Sequence, residues 1–449
     1  MADDSMIGRA SAWLARQAGR AWRCLAAGGW GLALCRVVVV VALLGIGGLV
    51  FVAAGLMPIA ASEGHWAVTR ALLQFTMRSS VRTRTMSLDA PPLDDPGLVL
   101  KGAGHYAGGC LPCHGAPGEP RSLVVRHMTP EPPSLPAGLG TLRDEELFWI
   151  VRHGIKYTAM PAWPAQARED EVWAMVAFLR ALPDMTAGEF RRLAYGDAVD
   201  RPGGGADARI ALLGEPGGNG PWVDALQDCE RCHGADGMGR GDGTFPRLAG
   251  LDAAYLEASL RAFAAGTRHS GMMQPVAAGL EPAQVERLAT HFAALDAAPA
   301  ATRCADPAAV ARGAALAASG DPARKIPACA GCHAPPATDR NPLYPTLAGQ
   351  HRDYLALQLR LFRERKRGGT PYAGLMRVAA KHLEDRDIGD LAAYYASLPG
   401  DCPRGATAGA VATVTTRTPA GCAAPGAVLE SASTPGTDRG PPCPTPDRS

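Results

Sequence analysis

From residue 37 to residue 61 the chain carries no ionisable side chain. That run is long enough to cross a bilayer core of about 30 Å at about 1.5 Å per helical residue. Upstream, residues 1–36 place Arg9, Arg16, Arg20, Arg23 and Arg36 on a background of Ala, Gly, Leu and Trp. The pattern predicts a cytoplasmic N-terminus over 1–36 and a transmembrane helix over 37–61. A cleaved signal peptide is the rival, because Ala60 and Ala61 suit a peptidase, but the basic and apolar stretches both exceed those of ordinary leaders. Residues 62–97 read as a stalk: His65, Val68, Leu72 and Phe75 recur at helical spacing, and Pro91, Pro92 and Pro96 close it.

Three segments follow, 98–186, 207–298 and 304–401, separated by Gly-rich or Ala-Pro-rich joints. Each closes on an apolar pattern of helical period, over 172–182, 285–295 and 388–398. Period-two strand patterns are absent, so the expected fold is all-α. The tail 402–449 is rich in Pro, Thr, Gly, Ala and Ser and predicts disorder, since it has little apolar surface to offset the entropy of ordering. Segments 2 and 3 are an internal repeat. Phe245-Pro246-Arg247-Leu248-Ala249-Gly250 with Tyr255-Leu256 returns 99 residues later as Tyr344-Pro345-Thr346-Leu347-Ala348-Gly349 with Tyr354-Leu355.

Charge is nearly balanced, 45 Lys and Arg against 43 Asp and Glu. Nothing in it argues for a nucleic-acid partner. The chemistry lies in Cys110-Leu111-Pro112-Cys113-His114, Cys229-Glu230-Arg231-Cys232-His233 and Cys329-Ala330-Gly331-Cys332-His333, each a C-x-x-C-H covalent heme-attachment motif. On a helical turn the two thiols share one face and can add to the two vinyl groups of one heme, while the adjacent histidine faces the iron. A zinc site needs a second ligand pair that no segment offers. A thioredoxin-like pair needs a strand-helix-strand context.

A sixth ligand is then required for iron that shuttles electrons without binding substrate. Met160, Met273 and Met376 follow His114, His233 and His333 by 46, 40 and 43 residues, and a thioether favours ferrous iron. The neighbouring Met272 aligns with Leu375, so the repeat selects Met273. His127, His153, His269 and His351 keep bis-histidine ligation open, although none recurs at a fixed offset in all segments. Pro133-Ser134-Leu135, Pro246-Arg247-Leu248 and Pro345-Thr346-Leu347 also recur. Their proline carbonyls are candidates to accept the second N–H of each ligand histidine.

These features resemble the class I c-type cytochromes over about 98–401: a helix leading into C-x-x-C-H, a Pro-x-Leu turn, a distal methionine in a loop, and an aromatic-bearing final helix. Segments 2 and 3 look like tandem di-heme members. Segment 1, with Ala159-Met160-Pro161-Ala162-Trp163, looks like single-domain members of respiratory chains. The resemblance implies three covalent heme c groups, one-electron transfer, and heme domains in the periplasm beside a bacterial inner-membrane anchor. It implies a quinol-oxidising complex or a dehydrogenase as donor and a terminal oxidase as acceptor. The alternative is the cytochrome subunit of a membrane-bound alcohol or sugar-acid dehydrogenase passing electrons to quinone. A heme enzyme would need an open sixth position, against which the three methionines argue. The resemblance also implies that the first and last helices of segment 3 pack together, which would let Cys304 and Cys402 form a disulfide; pairing with Cys422 or Cys443 stays open. The cationic loop Arg360, Arg363, Arg365, Lys366 and Arg367 is a candidate docking site for an acidic partner, with a solvated helix end as its rival.

Overall fold

The apolar N-terminal run forms one helix, α1 (Trp30–Ala53), of which Leu32–Ala53 is long and apolar enough to cross a membrane. In this computed structural model the described residues are 30–57, 59–196, 221–241, 243–297, 306–333 and 341–399, with Arg16 and Gly19. Cys304, Cys402, the tail 402–449 and most of 1–29 lie outside them. The helix sits upstream of the expected 37–61. Its end is set by Gly55, whose positive φ of 70° permits the turn in which Gly55 N–H bonds Val52 O (3.0 Å) and Leu56 N–H bonds Phe51 O (3.2 Å). At its start, the apolar residues 30–35 carry the helix across Arg36, a side chain long enough to keep its charge at an interface.

Contacts group the chain into two compact units, residues 1–70 with 128–130 and residues 71–127 with 131–449. Helix α2 (Ala67–Arg84) exposes Val68, Leu72 and Phe75 but buries Val81 near its end. Thr85 is buried there too, donating to Val81 O (3.1 Å) and accepting from Arg143 Nη2 (3.2 Å). Leu88 and Leu93 pack on the core of segment 1. The C-terminal end of the expected stalk is therefore built into that segment.

Segment 1 consists of α3 (Pro96–Gly109), α4 (Asp144–His153), α5 (Glu169–Ala181) and α6 (Ala187–Tyr195). Helix α3 starts where it does because Asp95 accepts from Gly97 N (2.8 Å) and Pro96 fills the first turn. Helix α6 opens on a capping box between Thr186 and Glu189. It then sends Phe190 and Tyr195 into the core, Phe190 standing edge-on to Tyr106 at 6.0 Å. The packed unit is thus wider than 98–186.

Segment 2 contains α7 (Pro221–His233), α8 (Ala253–Ala264), α9 (Met273–Ala278) and α10 (Pro282–Ala294), around Tyr255, Leu256, Leu288 and Phe292. Segment 3 contains α11 (Pro307–Ser319), α12 (Arg352–Arg363), α13 (Ala373–Ala379) and α14 (Asp385–Ser397), around Leu355, Phe362, Ile388 and Leu391. No strand occurs among the described residues. The all-α expectation is borne out.

In segment 1 the first helix, α3, crosses α5 at a glycine, and in segment 3 α11 crosses α14 at another. A Cβ on Gly102 would meet Phe178 Cβ at 2.4 Å and Ala174 O at 2.5 Å; one on Gly313 would meet Asp390 O at 2.1 Å. Alanine is the better helix former by about 1 kcal/mol, but overpacking a rigid crossing costs about 1–3 kcal/mol. Gly313→Ala is therefore expected to lower stability to denaturant. Gly389→Ala, on the facing helix with nothing within 4 Å of the added carbon, should raise it by up to about 1 kcal/mol.

Candidate heme-attachment sites

Each C-x-x-C-H motif lies on helical turns: Leu111–His114, the end of α7, and Ala330–His333. Cys110 O accepts from Cys113 N (3.2 Å) and His114 N (2.9 Å), and Cys329 O accepts from Cys332 N (3.2 Å) and His333 N (2.9 Å). The six motif thiols are free, none of them in a disulfide. Burial, followed by neighbouring charge, pushes Cys110 and Cys229 up to about 12 and Cys329 up to about 11. Among the described residues no group of three or more His, Cys, Asp or Glu could hold a metal ion by itself.

The three histidines share one restraint. His114 Nδ1 donates to Pro133 O (2.9 Å), His233 Nδ1 to Pro246 O (3.0 Å) and His333 Nδ1 to Pro345 O (2.9 Å). A carbonyl can only accept, so the proton sits on Nδ1 and Nε2 keeps its lone pair for a metal. Burial lowers the pKa of His114 and His233, which keeps both rings neutral.

The methionines are placed differently from one another. Met160 lies in irregular chain, its N–H on Thr158 Oγ1 (3.1 Å) and its carbonyl accepting from Ile155 N (3.3 Å). Met273 and Met376 lie on short helices, α9 and α13, where a loop was expected. All three are half-buried. Met272 packs against the core of segment 1. Of the spare histidines, His127 bonds Leu123 O (2.8 Å), His269 bonds Lys366 O (3.2 Å), His351 Nε2 bonds Met238 O (2.7 Å), and the His153 ring lies tilted beside Trp149 at 4.9 Å.

Sequence reading missed the seam between the two repeats. Arg268 Nη2 donates to Tyr354 OH (3.2 Å) and Arg367 Nη2 to Tyr255 OH (3.0 Å), a reciprocal pair at the repeat offset of 99. Each guanidinium also lies 4.4 Å from a ring centroid, Phe263 or Phe362, again 99 apart. Arg367 is 8% exposed, so it is no part of a docking surface. In the same loop Arg363 pairs with Asp385 (2.7 Å) and Lys366 with Glu364 (2.9 Å). Two buried cations held by tyrosine hydroxyls are costly unless anions join them, and the propionate carboxylates of heme are anions of the right kind. Burial hinders ionisation of Tyr255, yet Arg268 and Arg367 overcome it and draw its pKa down to about 8. Also unforeseen were Arg231, which leaves the second motif to donate to Gly104 O (2.7 Å), and half-buried His105, whose ring packs on Trp163 at 4.6 Å.

Residues 97–179 match the family described as cytochrome c oxidase, cbb3-type, subunit III, and residues 310–399 match the cytochrome c family. A thiosulfate dehydrogenase electron acceptor of Stutzerimonas stutzeri (strain A1501) is 37% identical over 174 residues, 39% of this chain and 80% of that protein. Cytochrome c4 of Azotobacter vinelandii is 33% identical over 180 residues, 38% of this chain and 84% of that protein. The crystal structure of reduced cytochrome c4 from Pseudomonas stutzeri is 32% identical, with a TM-score of 0.35, over 40% of this chain and 99% of that one. The chain belongs to the class I c-type cytochromes, and its chemistry is heme-based electron transfer.

Any residue supplies a backbone carbonyl, so Pro246→Ala should retain the heme of segment 2 and cost no more than about 1 kcal/mol of stability. His233→Ala should instead leave one iron high-spin. Heme content and electron paramagnetic resonance of the two variants check both expectations.

Proposed function

We propose that the chain carries three covalent heme c groups in domains near 98–186, 207–298 and 304–401, and relays electrons singly on the periplasmic side of a bacterial inner membrane. Cys110, Cys113, Cys229, Cys232, Cys329 and Cys332 would hold the hemes by thioether bonds; His114, His233 and His333 would be proximal ligands and Met160, Met273 and Met376 distal ones. The observation that carries this reading is the threefold histidine-to-proline-carbonyl bond on a C-x-x-C-H turn. When bound, heme supplies a one-electron ferric/ferrous couple. The chain's own part is to hold the proton on Nδ1, present a neutral Nε2 and close the sixth position with a thioether. Helix α1 would anchor the relay, N-terminus inward.

Two observations bear on direction. The match of residues 97–179 to an oxidase subunit family supports a terminal oxidase as acceptor from segment 1. The relatives named for accepting electrons from thiosulfate dehydrogenase support a dehydrogenase as donor to the rest, ahead of a quinol-oxidising complex. This favours a dehydrogenase partner without selecting an alcohol or sugar-acid enzyme.

Ferric protein should show the sulfur-to-iron charge-transfer band at the red end of the visible spectrum. Met160→Ala, Met273→Ala and Met376→Ala should each remove about one third of it and lower one potential, within the range that axial ligands control. A native chain without the band, or one that binds carbon monoxide at every heme, overturns the ligand assignment. Rapid mixing with thiosulfate dehydrogenase and thiosulfate, against a quinol-oxidising complex, then separates the two donors.

A further inference from the structure

The distal stretches of the first two sites meet at one buried carboxylate. Glu171, in the first turn of α5, is 2% exposed. Its Oε1 accepts from Ser270 Oγ (2.6 Å) and stands 3.0 Å from Arg168 Nη1; its Oε2 accepts from Gly271 N–H (2.6 Å) and Trp163 Nε1–H (3.3 Å). Trp163 belongs to the stretch that carries Met160. Ser270 and Gly271 lead into Met273, and Ser270 Oγ in turn accepts from the N–H groups of Met272 (3.3 Å) and Met273 (3.1 Å). Arg168 closes the seam by donating to His269 O (2.9 Å) and Asp170 Oδ1 and Oδ2 (2.8 Å each). The fit leaves no slack, since a Cβ on Gly271 would lie 2.0 Å from Trp163 Nε1.

Segment 3 has the same distal stretch without this clamp. Ser270 is replaced by Ala373, Gly374 has open space around it, and Leu375, the counterpart of Met272, is 59% exposed. One repeat is therefore held by segment 1 and the other is not.

We infer that Glu171 is the positioning residue of the second site: a carboxylate lent by segment 1 that fixes the backbone carrying Met273. The inference rests on reading Met273 as an axial ligand. The Glu171 carboxyl accepts at both oxygens, and removing it strands a buried hydroxyl, an amide N–H and an indole N–H together. Glutamine can still accept at one oxygen, so Glu171→Gln should fall between native and Glu171→Ala.

The test uses the full heme-loaded chain. In Glu171→Ala, hydrogen exchange at Gly271 to Met273 should quicken about tenfold or more, as loss of a buried hydrogen bond implies. About one third of the charge-transfer band should then melt at a lower temperature while the rest is unchanged, with Glu171→Gln intermediate in both. Unchanged exchange in either variant at native heme content, or loss of all three contributions together, overturns the inference. Met273→Ala keeps the two readings apart. If it leaves the band whole, the ligand assignment fails, and amide exchange alone then decides for or against Glu171.

Discussion

The donation of an imidazole Nδ1 proton to a proline carbonyl, 2.9–3.0 Å long in all three segments, is the contact on which the rest depends. It joins the helical turn that bears the two cysteines to the Pro-x-Leu turn on the other side of the site, and so fixes ring orientation and tautomer at once. Without it the ring could rotate, and either nitrogen could carry the proton. The protein repeats the restraint rather than varying it, while the distal side varies: an irregular stretch at Met160, short helices at Met273 and Met376.

Small helical segments hold little core, and these compensate by close approach. Gly102 lets α3 approach the backbone of α5, and Gly313 lets α11 approach the backbone of α14. Between the repeats the same economy places Arg268 and Arg367 inside, each on the other repeat's tyrosine. The pair is symmetric because the sequence repeat is. The seam between segments 1 and 2 has no such symmetry, and it is there that single polar groups such as Glu171 and Arg231 bridge.

Much of this was legible in the chain itself. Helical period located the closing helices, and Pro-x-Leu pointed to the carbonyls that accept from His114, His233 and His333. What escaped notice has a common physical origin, because charge was read as surface. Arg367 looked like part of a cationic loop, yet its planar guanidinium lies over Phe362 and bonds Tyr255. Arg36 looked like the start of solvent, yet α1 runs through it. Glu171 stands just before the helical pattern of 172–182, and two of its partners, Ser270 and Gly271, lie 99 and 100 residues away, which periodicity does not register. The offset of 99 between Arg268 and Arg367 was the one available signal for the seam.

The central claim is that each of the three C-x-x-C-H turns holds its own covalent heme. The most direct measurement is heme per chain after acid-acetone extraction, by pyridine hemochrome absorbance and intact mass. Three hemes that resist extraction are predicted, falling to two when Cys110 and Cys113, Cys229 and Cys232, or Cys329 and Cys332 are changed together to Ser. Two or fewer in the native chain, or heme that extracts freely, would contradict the account.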